Sequence, residues 1–245
     1  MSPRLVRVAG ALVVLLVIVG VAAAVGRSLY PADFSTRVDP LRERAMAALD
    51  RRDPFLAERP GEVARVDARF GAHLRMTLLH VIPGGLFLLF APVQFSGRLR
   101  RRHPEVHRWS GRVLLPLVIA STLAGLYFGI LIPYAGPGES IPITLFGGLL
   151  LFAVVRAYRA IRARQVALHR EWVIRVFAIA IAISTVRLVS IPLDLGLTPT
   201  GFRPPELFIY SIWIGWLLTL GIAELWIRHT RPRVGAAAPL ATAPR

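Results

Sequence analysis

His169-Arg170-Glu171-Trp172-Val173-Ile174-Arg175-Val176-Phe177-Ala178-Ile179-Ala180-Ile181-Ala182-Ile183-Ser184-Thr185-Val186-Arg187 runs from a charged, aromatic cluster into an apolar stretch with no loop between. An apolar run of this length reads as a membrane-crossing helix, which needs roughly 20 residues. Imidazole and guanidinium are costly beside hydrocarbon, so His169, Arg170 and Arg175 at the mouth of such a helix are candidates for use. Arg187 is the least expected residue in the chain, because it stands inside the run. A second phrase, His107-Arg108-Trp109-Ser110-Gly111-Arg112, opens another apolar stretch in the same way.

Working outward, six apolar spans emerge at about 5–26, 74–95, 112–132, 142–160, 173–193 and 206–227, by length and hydropathy. The composition agrees: 55% of the 245 residues are hydrophobic and the mean hydropathy is +0.57. The fold class that follows is all-α, a polytopic transmembrane bundle of about six spans. Strand alternation is absent, which argues against a membrane barrel. The formal charge of +16 would point to nucleic acid in a soluble domain. Here it does not, because the arginines cluster at span ends, where topology explains them. There is no lysine and no cysteine. The second absence excludes disulfides, thiolate chemistry and Cys-ligated metal or iron–sulfur centres.

The arginines also orient the bundle. Arg4 and Arg7 precede the first span, Arg98 to Arg112 lie between spans two and three, Arg156 to Arg175 between four and five, and Arg228, Arg231 and Arg233 follow the sixth. All four sets fall on one side if both termini are cytoplasmic, the positive-inside pattern. The expected location is a plasma or bacterial inner membrane, with the lipid bilayer as the first partner. Residues 1–26 read as an anchor, with a cleavable signal peptide as the alternative, given Ala22-Ala23-Ala24. Residues 27–73 read as a small extracytoplasmic helical segment with nearly balanced charges. Pro40 stands near the start of its first helix, and a second runs from about Glu62 to Met76 into span two. Residues 74–229 form the five-helix membrane domain, and 230–245 an Ala/Pro-rich disordered cytoplasmic tail.

Two groups of residues could carry chemistry. At the inner face, His107 and His169 belong to different spans at one depth, which suits a pair of axial ligands to a b-type haem. Arg112, Arg175 and Glu224 form a charge cluster beside them, and the bland reading is mutual neutralisation. At the outer face, His80 and Arg187 lie at similar depth and Tyr210 a turn below the mouth of the last span. Together they read as an outward-facing pocket for a small anion or a quinone oxygen, which suits a guanidinium fork. The structural alternative is a clasp between Arg187 and Asp194 or Glu206. His103 and His107 are too few for a metal site, so no metal centre is expected. No phosphate loop, dinucleotide-binding glycine pattern or nucleophile elbow is present, so no reaction is legible. The readings are thus a haem- or quinone-linked redox protein, a non-enzymatic binding or transport protein, or a structural accessory subunit.

Five phrases carry a family resemblance: Leu79-His80-Val81-Ile82-Pro83-Gly84, Pro92-Val93-Gln94-Phe95, His103-Pro104-Glu105-Val106-His107-Arg108-Trp109-Ser110-Gly111-Arg112, Ala167-Leu168-His169-Arg170-Glu171-Trp172-Val173-Ile174-Arg175 and Arg187-Leu188. In this order they resemble the predicted membrane proteins of domain-of-unknown-function family 2306, over about residues 75–228. The resemblance implies an integral membrane protein and no particular activity.

Overall fold

The computed structural model describes residues 3–231. Among them there are nine α-helices and no strand: α1 (Pro3–Leu29), α2 (Phe34–Ala48), α3 (Arg59–Ala72), α4 (Leu74–Phe90), α5 (Gly97–Arg102), α6 (Pro104–Leu131), α7 (Pro137–Arg162), α8 (Val166–Leu197) and α9 (Pro204–Thr230). Six are long and apolar enough to cross a membrane: α1, α4 with its 3-10 extension to Phe95, and α6 to α9. The helices run past the apolar spans at several ends, because charged first and last turns continue the helix beyond the hydrocarbon. Pro104 and Pro137 stand in the first turns of α6 and α7, where a missing N–H costs nothing. The Ala/Pro-rich tail lies almost entirely outside the described residues.

Helix α8 is the axis of the bundle. It packs on α7, α9, α1 and, more lightly, α4, while α4 also packs on α6 and α1. Two close approaches fix this arrangement. A Cβ on Gly215 of α9 would lie 2.9 Å from the backbone nitrogen of Val186, so α9 rests directly on the α8 main chain. A Cβ on Gly20 of α1 would lie 2.5 Å from the Ser184 hydroxyl and 2.6 Å from Leu88, so α1 enters the groove between α8 and α4 at this point. Small residues at such crossings are the usual means of helix association without a hydrophobic driving force. Phe87, Leu88, Leu114, Val118, Phe146, Leu150, Ile179 and Ile181 fill the core between the crossings.

The segment between α1 and α4 differs from the sequence expectation in two ways. Helix α2 begins at Phe34, so Pro40 is an interior residue instead of an early one. The reason is a cap from a distant residue: Asp67 on α3 accepts the backbone N–H groups of Ser35 (2.9 Å) and Thr36 (2.8 Å). That satisfies orphan donors of the first turn as a local N-cap would. The second helix does not run into span two. It stops at Ala72, and His73 takes a non-helical conformation (φ −114°, ψ 45°) before α4 starts. The Thr77 hydroxyl crosses the break to the Phe70 carbonyl (2.8 Å), and the His73 ring meets the Tyr127 hydroxyl (2.9 Å).

Helices α2 and α3 form a cap held to one end of the bundle by ion pairs. Arg27, at the end of α1, pairs with Asp67 at 2.7 Å and is only 7% exposed. Arg42 of α2 pairs with Asp194 of α8 and, at 2.7 Å, with Asp53. Arg69 of α3 lies 3.6 Å from Glu139 of α7 and donates to the Ile132 carbonyl at 2.9 Å. Burial pushes the Asp67 carboxyl up, but the hydrogen bonds from Thr36, Ser35 and Arg27 outweigh it and hold the group at about 2, below the ordinary 3.8. A lowered carboxylate stabilises the folded state fully above about pH 4 and loses that contribution as the pH falls through about 2. Asp67→Asn leaves Arg27 buried without its partner and should cost about 3 kcal/mol or more. The cap of the variant should become protease-sensitive at neutral pH, whereas the cap of the unmodified chain should resist a pepsin digest at pH 4 and yield near pH 2.

Candidate functional site

The cap end holds the residue that the membrane environment tolerates least. Arg187 sits two thirds of the way along α8, between Val186 (1% exposed) and the partly buried Leu188. Its guanidinium lies deep among protein atoms, yet the side chain is not covered. Ser184, three residues earlier and therefore on the same side of α8, faces Gly20 of α1. That side of α8 turns toward α1 and α4.

Arg187 makes one hydrogen bond, from Nη1 to the Ile183 carbonyl of its own helix at 3.2 Å. No carboxylate lies within ion-pair distance; among the described residues its salt-bridge partners are none, although all 14 acidic residues are described. The charge that acts on it is that of Arg27, a second cation. The clasp expected with Asp194 or Glu206 does not form. The Asp194 carboxylate is taken by Arg42 and by the Thr198 hydroxyl (2.8 Å), and Glu206 is exposed without an ion pair.

His80 of α4 stands within electrostatic range of Arg187. Its Nδ1 lies 2.8 Å from the Ser121 carbonyl, and the Ser121 hydroxyl returns a hydrogen bond to the His80 carbonyl at 2.7 Å. A carbonyl only accepts, so Nδ1 carries the hydrogen and Nε2 is left without a protein partner. Gly125 leaves room for the ring: a Cβ there would lie 3.0 Å from the imidazole Cε1. Phe128 meets the ring edge-on at 6.5 Å. Ser121 and Arg27 were not singled out by the sequence reading. The available signal for Ser121 was a hydroxyl inside an apolar span, which in lipid must find an acceptor. Arg27 looked like an ordinary residue at the end of a span.

Tyr210 does not join this group. It is 51% exposed on the stripe of α9 that carries Ile214, Leu217, Leu218 and Leu225, the stripe turned away from the helices α9 packs on. The opposite side of α9, through Leu207, Ser211, Ile212 and Gly215, is the one that meets the bundle.

At the other end Arg175 and Arg231 have carboxylate partners. Arg175 makes a two-pronged bond to Glu224, at 2.5 and 2.9 Å, and Glu171 makes another to Arg231, at 2.7 and 2.8 Å. Arg112 is not part of this cluster; it is exposed and lies over the Trp109 ring at 5.2 Å. His107 and His169 are brought within electrostatic range of each other across α6 and α8. The His169 Nδ1 bonds the Ala157 carbonyl at 2.9 Å, while the His107 Nδ1 is buried without a partner. A cavity of about 210 Å³ on this side is lined by Leu149, Ala153, Trp172, Arg175, Ile179, Leu220 and Glu224; neither imidazole borders it. Among the described residues no group of three or more His, Asp or Glu side chains is placed to hold a metal ion.

Residues 77–227 match the family of predicted membrane proteins DUF2306. The chain belongs to that family. The match begins at Thr77, just before His80, and ends at Ile227, so it takes in both polar centres and leaves out α1 and the whole of the cap. No curated protein and no solved structure matches the chain.

The two arginines of α8 should respond oppositely to removal. Arg175→Leu strands Glu224 and should destabilise the protein by about 3 kcal/mol. Arg187→Leu removes an unpaired charge and should leave the melting temperature of the ligand-free protein unchanged or higher. Thermal melts of the two variants in one detergent check the contrast.

Proposed function

We propose that this integral membrane protein binds a small anion in the space beneath its cap, through Arg187 and His80, as a non-enzymatic binding or transport protein. The observation that carries the reading is the guanidinium of Arg187, which lies deep among protein atoms, has no carboxylate within ion-pair distance among the described residues and has a cation as its charged neighbour. An intramembrane arginine of this kind faces the bundle interior and wants an acceptor. A carboxylate or phosphate supplies two oxygens to the fork. The free Nε2 of His80 accepts a hydrogen bond, so a ligand carrying a hydroxyl or a retained acidic proton beside its anionic oxygens uses both groups.

The arginine distribution supports a cap on the outer side. Arg98 to Arg112, Arg156 to Arg175 and Arg228 to Arg231 lie at the end opposite the cap, which the positive-inside rule makes cytoplasmic. The ligand then enters from outside. Helix α1 contributes Gly20 and Arg27 to the walls of this half, which supports its reading as a retained anchor.

A second reading has one observation behind it. The Nδ1 of His169 is held by a main-chain carbonyl, as it commonly is in histidines that ligate metal through Nε2, and His107 is near. A b-type haem between the two would add redox chemistry. Reduced-minus-oxidised spectra of protein from haem-supplied cells decide it: bands lost in His107→Ala or His169→Ala support the haem, and a featureless spectrum removes it.

The anion reading is tested by thermal shift of the purified protein with phosphate, a hydroxy-carboxylate such as lactate, and a neutral amide of the same acid. A ligand at about 100 times its Kd stabilises by about 2.7 kcal/mol. The expected result is stabilisation by at least one anion and none by the amide, lost in Arg187→Leu and weakened in His80→Ala. Equal response in Arg187→Leu would sink the proposal, as would no response to any anion.

A further inference from the structure

The short helix α5 joins two membrane spans at the end of the bundle away from the cap. Ser96 (φ −66°, ψ 114°) breaks the chain after α4 and its extension, and His103 (φ −135°, ψ 64°) breaks it again before α6. The helix, Gly97-Arg98-Leu99-Arg100-Arg101-Arg102, holds one apolar residue, the half-buried Leu99, and its four arginines are exposed. Exposed apolar side chains stand on the chain either side of it, Val93 and Phe95 before and Val106 and Trp109 after. Helix α5 therefore sits at the hydrocarbon boundary, the depth at which lipid phosphates lie.

Between Gly97 and Arg112 the chain has six arginines and a single acid, Glu105. Glu171 and Glu224, the other acids of this end, are taken by Arg175 and Arg231. None of the six arginines lies within ion-pair distance of a carboxylate among the described residues. Topology asks only that arginines stand on this side of the membrane. It does not ask them to converge, yet two of them do. A Cβ on Gly97 would lie 3.2 Å from Nη1 of Arg101 and 3.9 Å from Nη2 of Arg100, so both guanidinium groups fold back over the bare glycine. Arg100 is held there by a bond from Nη1 to the Gln94 carbonyl at 3.1 Å, whereas Arg101 makes no side-chain hydrogen bond among the described residues. Like charges drawn together with no carboxylate between them are relieved by a phosphate, whose oxygens reach both forks through charge-assisted bonds of about 2.7–2.9 Å.

We propose that Arg100 and Arg101, converging over Gly97, bind the phosphate of an anionic lipid headgroup. The depth of α5 favours a lipid over a phosphate in solution: acyl chains lie against the exposed apolar residues beside the helix while the headgroup meets the two forks. The site is at the opposite end of the bundle from Arg187 and His80 and does not depend on the reading of that pair.

Delipidated full-length protein in dodecyl maltoside, titrated with phosphatidylglycerol, phosphatidylcholine or inorganic phosphate and followed by native mass spectrometry, tests the proposal. The expected result is saturable binding of phosphatidylglycerol, at least tenfold tighter than that of phosphatidylcholine and undisturbed by an equimolar amount of inorganic phosphate. Arg101→Gln, which breaks no side-chain hydrogen bond within the protein, should weaken phosphatidylglycerol at least tenfold. Arg100→Gln/Arg101→Gln should remove the preference for the anionic lipid. Arg159→Gln/Arg162→Gln takes two exposed charges from the same end of the bundle, on α7, and should leave the affinity within about twofold. Equal weakening in the two double variants would mean diffuse attraction by the whole basic face and would overturn the site, as would unchanged affinity in Arg101→Gln. Displacement of the lipid by equimolar phosphate would overturn the assignment to a lipid.

Discussion

A charge inside a low-dielectric medium has to be answered by an opposite charge, and the cap half of this molecule is built around one such answer. Asp67 receives Arg27 from the end of α1 and two backbone N–H groups from the start of α2. One carboxylate therefore closes α1, begins α2 and fixes α3 against both. The remaining ties repeat the logic across the cap boundary, with Arg42 on Asp194 and Arg69 beside Glu139. Their joint effect is an allocation of carboxylates. Of the acids at the cap end of the bundle helices, Glu139 and Asp194 are held by cap arginines and Glu206 is exposed. Arg187 lies two turns from Asp194 on the same helix and is left without either.

The opposite end shows what a neutralised arrangement looks like in the same helix. Arg175 precedes Arg187 by twelve residues, about 18 Å of rise. It meets Glu224 through both prongs, and Glu171 beside it meets Arg231. Such pairs lock α8 to α9 and need no ligand to explain them. The comparison separates two arginines in one membrane helix: Arg175 joins helices, whereas Arg187 has no carboxylate within ion-pair distance among the described residues.

The six spans were legible because hydropathy is a property of contiguous sequence, and the resemblance to the family that the chain belongs to was legible from short ordered phrases. What was not legible depends on contacts between distant residues. Pro40 looked like a helix start because the true start at Phe34 is capped by Asp67, some thirty residues away. Asp194 looked like the partner of Arg187 because it is near in sequence; in space it belongs to Arg42. Tyr210 looked like a pocket residue because depth can be counted along a helix, but facing cannot. Gly215 seats α9 on the α8 backbone and turns Tyr210 the other way. His80 and Arg187 could be matched by depth, while the Ser121 carbonyl that fixes the imidazole tautomer lies on a third helix.

The electrostatics around Arg187 bear on the proposed preference for an anion. Arg27 is neutralised by Asp67, yet it remains the charge felt most by Arg187, and Arg187 in turn is the charge felt by His80. Arg27 has its anion in Asp67, whereas Arg187 has none within ion-pair distance among the described residues, so the uncancelled charge of this half is that of Arg187. A neutral molecule entering there gains contacts but leaves that charge unchanged. A monovalent anion gains the same contacts and also removes the cost of an uncompensated guanidinium in a poorly screened interior. Discrimination between an acid and its neutral amide then comes from the protein's own unresolved charge, beyond any extra hydrogen bond. It should persist at ionic strengths that abolish surface attraction, because screening by salt weakens greatly inside the bundle.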